Sequence, residues 1–374
     1  MLKNILGVLT GPFKRNQLNQ VIFFITGNCN LRCQHCFYWK NLNHNNDLTF
    51  EEIQKISQNL PRFNLLLLSG GEPFLREEIV EIVKLFRKNN HILQVSIPTN
   101  AFLVSKTVSQ LKELLKIDPS LTVSVNFSVD GLKEIHDQTR GRTDSFKHVI
   151  TAIKKTNLLK TKFPNLVVNM NTAITTKNFD YIPNLINFIK TQGHNFIDGH
   201  YFEIIRGEPP KAGMKEFTKT NITKLYEKII LPYQEDIVRQ RNGGKWTNNF
   251  FTSLAKANFS FIYKTQLANF FDRKRWPMAC VAGQNSIVID HSGNFSSCEL
   301  RKPIINLKES KFNISKLLKS HKMTKELENI KKEKCDCTHV CFLTESMYKS
   351  PLTVFILLPI HWLKIILLDF FNVQ

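Results

Sequence analysis

Acidic side chains are scarce in this chain of 374 residues: 31 Asp and Glu stand against 51 Lys and Arg, leaving a formal charge of +20. Such a surplus suits nucleic acid, anionic lipid or an acidic substrate. The lysines are spread along the chain among plentiful Asn and Ile, however, as the coding bias of an AT-rich genome would also produce. No appended nucleic-acid-binding motif is present, so nucleic acid is not the expected partner. Low-complexity tracts and internal repeats are also missing, which excludes a disordered chain and a solenoid. A secretory leader is not expected either. Leu2, Ile5, Leu6 and Leu9 fall at near-helical spacing beside Lys3, Lys14 and Arg15, but the stretch is too short for a signal peptide and has no small-residue cleavage site. The expected location is cytoplasmic, and residues 1–20 are expected to pack under the following domain or to lie on a membrane surface. Finally, no uninterrupted spanning run closes the chain. From Pro351 onward the apolar sequence is broken by Pro359, His361, Lys364 and Asp369, short of the about 20 apolar residues a spanning helix needs. It predicts a terminal helix that packs on its own barrel, lies in a membrane interface or meets a partner, with Trp362 beside Lys364 favouring the interface.

The chain does have eight cysteines, and 42% apolar residues with which to build a core. Without a leader, metal or redox chemistry explains cysteines better than a disulfide framework does. Cys29, Cys33 and Cys36 form a C-x3-C-x2-C array just after the apolar run Val21–Ile25, which reads as a short buried strand. Thiolates this close suit zinc or an iron-sulfur centre. A structural zinc site is closed by four ligands, and the candidates for a fourth are His35, locked between two of the cysteines, and the more distant His44. A four-iron cubane on three cysteines instead leaves one iron open for chemistry.

With Asn28, Asn30, Leu31 and Arg32 around it and His35 before its third cysteine, this array resembles the cluster loop of the radical S-adenosylmethionine (radical SAM) superfamily. The resemblance implies a [4Fe-4S] cluster on Cys29, Cys33 and Cys36 whose open iron chelates SAM. Reduction then cleaves SAM to a 5'-deoxyadenosyl radical that abstracts hydrogen from substrate.

Further along, short apolar runs alternate with amphipathic segments. Strands are predicted at 21–26, 65–69, 92–98, 121–128, 166–174 and 197–205, with helices near 49–60, 76–90, 104–117, 143–160 and 178–192. Six such repeats imply parallel strands joined by crossovers and an α/β fold, a partial (β/α)6 TIM-like barrel, whose functional residues gather where strands end. Ser69-Gly70-Gly71-Glu72-Pro73 follows the second strand. Its glycines would let backbone approach a ligand, and Glu72 could pair with an ammonium. It is similar to the family's GGEP motif, which grips the methionine amino group. Thr99-Asn100-Ala101 after the third strand resembles the family's TNG turn, with Ala101 where glycine is usual. After the fourth strand, the resemblance implies ribose contacts from Ser128 and Asp130, and a methionine-carboxylate contact from Arg140, whose guanidinium fork suits that group. The stretch Asn171–Asn178 is a candidate wall against adenine. Glu203 and Arg206 are candidates for substrate contacts or for a structural ion pair.

A second cysteine set follows a helical, Phe- and Lys-rich connector at 208–275 that is broken by Gly243-Gly244. Cys280, Gly293 and Cys298 give C-x12-G-x4-C around a predicted hairpin at Ile287–Asp290 and Asn294–Phe295, and Cys335, Cys337 and Cys341 give C-x-C-x3-C. The spacing alone would fit zinc. Beside the first motif it resembles the auxiliary-cluster module of the SPASM/Twitch group, shortened: five thiols support one auxiliary [4Fe-4S] cluster, expected on Cys280, Cys298, Cys341 and either Cys335 or Cys337.

The expected organisation is an N-terminal segment at 1–20, a radical SAM core at 21–207, the connector at 208–275, a small Cys-rich auxiliary-cluster domain at 276–345 and an apolar helix at 346–374. The expected partners are a flavodoxin- or ferredoxin-like electron donor and a small-molecule, lipid or peptide substrate, with peripheral membrane contact at its inner face. With about twenty residues before the first strand, no leader-binding domain is expected there, so a peptide substrate would need a separate leader-binding partner. A membrane-held precursor is the substrate the apolar termini favour, and a zinc-binding interaction protein is the non-enzymatic alternative.

Overall fold

A computed structural model describes residues 9–14, 17–193, 196–241 and 246–371. Leu2, Lys3, Ile5, Leu6, Arg15 and the Gly243-Gly244 break lie outside the described residues. Two compact units divide the chain: residues 18–216 with 286–327, and residues 1–17 with 217–285 and 328–374.

The first unit is built on one sheet. Strands β1 (Gln20–Thr26), β2 (Leu65–Gly70), β3 (Gln94–Thr99), β4 (Thr122–Ser128), β5 (Leu166–Ile174) and β6 (Gly199–Ile204) lie side by side in chain order, all parallel. Between them run helices α1 (Phe50–Asn59), α2 (Ile79–Asn90), α3 (Val104–Leu115), α4 (Lys133–Arg140), α5 (Ser145–Asn157) and α6 (Ile182–Thr191). This is the expected α/β architecture of a partial (β/α)6 barrel. β1 carries QVIFFIT and is buried at every position, as a central parallel strand covered on both faces should be. β2 and β3 instead alternate, with Leu66, Leu68, Val95 and Ile97 fully buried and the intervening residues half-buried. Helix starts are written locally: Thr49 accepts from Glu52 N while Glu52 returns a bond to Thr49 N, a reciprocal cap for α1.

The sheet does not end at β1. The strands β7 (Ser286–Ile289), β8 (Asn294–Ser296) and β9 (Ile305–Asn306) extend it, β7 parallel to β1 and the other two antiparallel in turn. The predicted hairpin around His291-Ser292-Gly293 is present, but it continues the barrel sheet. The stretch expected as one small domain at 276–345 is therefore divided, with 286–327 in the sheet unit and its flanks in the other.

The second unit is helical: α7 (Lys219–Leu225), α8 (Leu231–Arg241), the long α9 (Trp246–Asp272), α12 (Val340–Lys349) and α13 (Leu358–Phe371), after α10 (Ile314–Leu318) in the sheet unit and α11 (His321–Lys332). The terminal helix packs on α9: Trp362 Nε1 donates to Ser253 Oγ at 2.9 Å, and His361 Nε2 meets Ser260 Oγ at 3.1 Å. No single described helix is long and apolar enough to cross a membrane; Val340–Lys349 and Thr353–Leu367 reach that composition only as a pair bent by 85°.

Candidate active site

The loop after β1 carries the three cysteines, and a polar segment fixes its course. Asp47 accepts from Thr26 Oγ1 at 2.6 Å and from Gly27 N at 2.7 Å, while Asn43 Oδ1 accepts from Cys29 N at 2.9 Å. Neither Asp47 nor Asn43 stands out in the sequence, because both sit in the aperiodic polar run 40–47.

The loop is clamped against the ends of β2 and α4 by close backbone approach. Gly71 N donates to Thr26 O and Glu72 N to Asn28 O, each at 2.8 Å. A Cβ at Gly70 would strike Thr26 O, one at Gly71 would strike the Asn28 carbonyl, and one at Gly141 would strike Arg32 O. The paired glycines thus admit the cysteine loop itself, a closer neighbour than the ligand the sequence suggested.

Glu72 is buried, and protein donors take up its carboxylate. Oε1 accepts from Thr99 Oγ1 at 2.7 Å and Phe74 N at 3.2 Å, and Oε2 accepts from Asn100 N at 2.7 Å. Burial pushes its pKa up to about 7, with these hydrogen bonds pulling the other way. Asn100 Nδ2 donates to Asn30 Oδ1 at 2.9 Å, so the turn after β3 is joined to Glu72 through its backbone and to the cysteine loop through the Asn100 side chain. Ala101, standing where the resemblance expects glycine, is buried at φ 49°, the left-handed region that favours glycine.

Asp130 is completely buried behind these groups. It contacts Arg140 Nε at 2.7 Å, accepts from Ala173 N at 2.9 Å and lies 3.6 Å from His35 Nε2. Burial acts to raise its pKa, but Arg140 and the neighbouring histidines outweigh it and the net shift is downward. Arg140 Nη1 also donates to Cys33 Sγ at 3.7 Å. Burial keeps His35 neutral, with a pKa of about 4.

These elements enclose one cavity of ≈ 240 Å³. Of the residues singled out from sequence, Cys29, Cys33, Cys36, Ser69, Gly70, Gly71, Glu72, Thr99, Asn100, Ser128 and Arg140 line it, and so do Glu203, Arg206 and the wall residues Asn171, Thr172 and Ala173. Pro73 and Asp130 do not: Pro73 opens the short turn Pro73–Leu75, and Asp130 backs Arg140. Arg206 forms an ion pair with Glu203 at 3.2 Å, one of the two roles considered for these residues, and a second with Glu299 at 3.1 Å, and it stacks over the Phe37 ring at 4.4 Å.

The donor chemistry of the cavity suits a multi-atom iron-sulfur centre and a polar organic ligand, whereas among the described residues no three His, Cys, Asp or Glu side chains are placed to hold a single metal ion. Burial drives the Cys29 thiol up to about 12 and Cys36 to about 11, and raises Cys33 as well. Three such thiols become thiolates together only against a cationic centre, and sulfur donors select iron-sulfur or zinc. His35 Nδ1 and Asn171 Oδ1 face the same space as buried polar atoms without a protein partner, and such atoms call for a hydrogen-bonding ligand.

All five of the remaining cysteines are described, and no disulfide joins any of the eight. Cys298 follows β8 in the sheet unit, whereas Cys280, Cys335, Cys337 and Cys341 belong to the helical unit. There Trp276 Nε1 donates to Cys337 O at 2.9 Å, Gln266 Nε2 to Thr338 O at 2.5 Å, and Val281 N to Ser346 Oγ at 3.1 Å. These bonds hold the segments bearing Cys280, Cys337 and Cys341 on one helical scaffold.

Six parallel strands joined by helical crossovers, with a three-cysteine loop at the end of the first, are the setting of a SAM-dependent iron-sulfur site of the radical type. Residues 23–189 match the model of the Radical SAM superfamily, and the chain carries a radical SAM domain there. It is accordingly an enzyme whose cofactors are a [4Fe-4S] cluster and SAM. GTP 3',8-cyclase of Clostridium botulinum is 26% identical over 301 residues, 78% of this chain and 84% of that protein. Two solved structures share the fold. Native anSMEcpe with bound AdoMet and the Cp18Cys peptide superposes with a TM-score of 0.57 at 18% identity, covering 95% of this chain and 98% of that one. Streptococcus suis SuiB bound to precursor peptide SuiA gives 0.53 at 16% identity, covering 87% and 71%.

Proposed function

We propose that this enzyme modifies a peptide by hydrogen abstraction, with Cys29, Cys33 and Cys36 holding the cleaving cluster. The observation that carries the reading is the convergence of these three thiols with Glu72, Ser128 and Arg140 on one cavity. When bound, the cluster and SAM supply a 5'-deoxyadenosyl radical that takes a hydrogen atom from substrate. The chain's own residues position and exclude. In this reading Glu72 and the Ser69–Pro73 turn receive the SAM amino group, with Thr99 and Asn100 held by Glu72 alongside. Ser128 meets the ribose. Arg140 meets the carboxylate, with Asp130 steering the guanidinium from behind. His35 and Asn171 offer the ligand their buried polar atoms.

Two features support a peptide over a nucleoside triphosphate. Of the two permanent cations lining the cavity, Arg140 is assigned to the SAM carboxylate and Arg206 already faces Glu203 and Glu299, so neither is spare for a phosphate chain. Both anSMEcpe and SuiB have been solved with a peptide bound. The relative named for GTP supplies the competing substrate.

One auxiliary [4Fe-4S] cluster on Cys280, Cys298, Cys341 and either Cys335 or Cys337 completes the proposal, taking up the substrate's electron or anchoring it. A flavodoxin- or ferredoxin-like protein would deliver the reducing electron, and a separate leader-binding chain would present the peptide. The chemistry is the same whether the enzyme works free in the cytoplasm or at a membrane's inner face.

The test is 5'-deoxyadenosine release by anaerobically reconstituted protein with SAM and dithionite, in separate arms with a synthetic peptide library and with GTP. Stimulation by the library is expected. Stimulation by GTP alone would replace the peptide with a nucleotide, and no release by folded wild type would remove the proposal altogether.

A further inference from the structure

The terminal segment buries Val354 and Ile365 together with polar groups, and leaves most of its large apolar side chains outside. Thr353 is buried, and the polar atoms of His361 and Trp362 turn inward to Ser260 and Ser253 on α9. Leu352, Phe355, Ile356, Ile360, Leu363 and Leu367 point the other way, at spacings of three, one, four, three and four residues that keep them on one helical face. With Ile366 they are each between 37% and 55% exposed. A helix in water is normally ordered the other way, with aliphatic side chains inward. Other rings of the same unit widen the patch: Phe13, 81% exposed, packs on Phe355 with ring centres 6.3 Å apart, and Phe250 packs on Trp362 at 5.4 Å. A contiguous apolar surface of this kind marks an interaction site.

Charge decides what covers it. The unit that carries the helix, residues 1–17, 217–285 and 328–374, holds 19 Lys and Arg against 9 Asp and Glu, a net +10. Little more than a third of the chain thus carries half of its +20. A second copy of this unit would bring the same positive charge to the contact and be repelled, whereas an anionic surface is complementary to it. We propose that the outer face of residues 352–367 lies on an anionic lipid surface, its aliphatic side chains sunk at the headgroup boundary and the unit's basic residues meeting the phosphates. Such a helix lies in the interface with its apolar face roughly 5–10 Å deep. Exposed Lys364 sits within this face and can extend its ammonium toward the headgroups. The docking is independent of the reaction at the cavity, so it stands or falls apart from the peptide reading.

Flotation of the full-length protein tests it, with vesicles of phosphatidylcholine alone and of equimolar phosphatidylcholine and phosphatidylglycerol. Wild type is expected to rise only with the anionic vesicles and to be released by salt. The triple variant Phe355→Ser/Ile360→Ser/Leu363→Ser should float at least about tenfold less, with unchanged far-UV circular dichroism and unchanged 5'-deoxyadenosine yield. Should the triple variant fail to fold, Lys364→Glu should weaken flotation by charge alone. Wild type that stays down with both vesicles would overturn the proposal, as would variants that float as well as wild type. Concentration-dependent dimerisation without vesicles, abolished by the triple variant, would overturn it in favour of a second copy on this face.

Discussion

At the scale of single residues, the site is governed by how closely backbones can pass. Gly71 lies so near the Asn28 carbonyl that a methyl group has no room. Gly71→Ala should cost roughly 1–3 kcal/mol and displace the cysteine loop, read as a lower urea midpoint together with loss of iron retained after desalting. Ala101 gives the opposite case. Its left-handed backbone carries a Cβ that glycine would lack, so Ala101→Gly should stabilise by roughly 0.5–1 kcal/mol, measured as a rise in the same midpoint. The sequence made these positions visible without explaining them. Gly70-Gly71 stood out as a dipeptide, but that its neighbour is the Thr26–Asn28 backbone depends on a contact between two distant loops. Asp47 and Asn43 were invisible because an aperiodic polar loop gives no sign of which of its side chains turns inward. Glu72, Thr99 and Asn100 were all singled out, but not as partners of one another, and Phe74 was not singled out at all.

At the scale of elements, the strands were legible because parallel strands buried on both faces are nearly continuous apolar runs, as β1 is. Helix α4, KEIHDQTR, is missing from the helices predicted from sequence between the fourth and fifth strands. Its buried residues are His136, Thr139 and Arg140, so no apolar periodicity betrays it. The hairpin β7–β8 was legible from its turn, but its pairing with β1 was not, since nothing local encodes a partner more than 250 residues away. That pairing is reinforced by His291 at the hairpin turn, which meets Tyr38 Oη at 2.5 Å and Asn46 Oδ1 at 2.9 Å. Tyr38 follows Cys36 by two residues, so the hairpin braces the cysteine loop from behind. His291→Ala should cost about 1–3 kcal/mol through the partners it leaves unsatisfied, and should speed loss of iron to a chelator from the Cys29, Cys33 and Cys36 site.

At the scale of the whole molecule, buried histidines set the response to pH. Burial holds His35 and His361 near pKa 4, and His136 and His200 near 3, against an ordinary 6.5. Unfolded, each takes up a proton below about 6.5 that it refuses when folded, so the stability they contribute is present above that pH and is lost as pH falls toward 4. Glu72 has the opposite sign: its carboxyl, raised from 4.5 to about 7, favours folding at low pH and loses that contribution as pH rises across the interval. Four groups outweigh one, and the urea midpoint of the apoprotein should fall between about pH 7 and about pH 5; a flat or rising midpoint would show that the histidines are not buried neutral.

The division into a sheet unit and a helical unit was not legible, because Cys280 to Cys341 read as one segment in sequence while contacts assign its middle to the barrel sheet. The central proposal is nevertheless about composition: that three thiols of one loop hold an iron-sulfur cluster and the second set holds another. Iron and acid-labile sulfide in anaerobically reconstituted wild type, compared with Cys29→Ala/Cys33→Ala/Cys36→Ala, measure it directly. The account predicts about eight irons falling to about four, with SAM altering the paramagnetic resonance of the reduced wild type and leaving that of the triple variant unchanged. Stoichiometric zinc in place of iron, or equal iron in the two proteins, would contradict it.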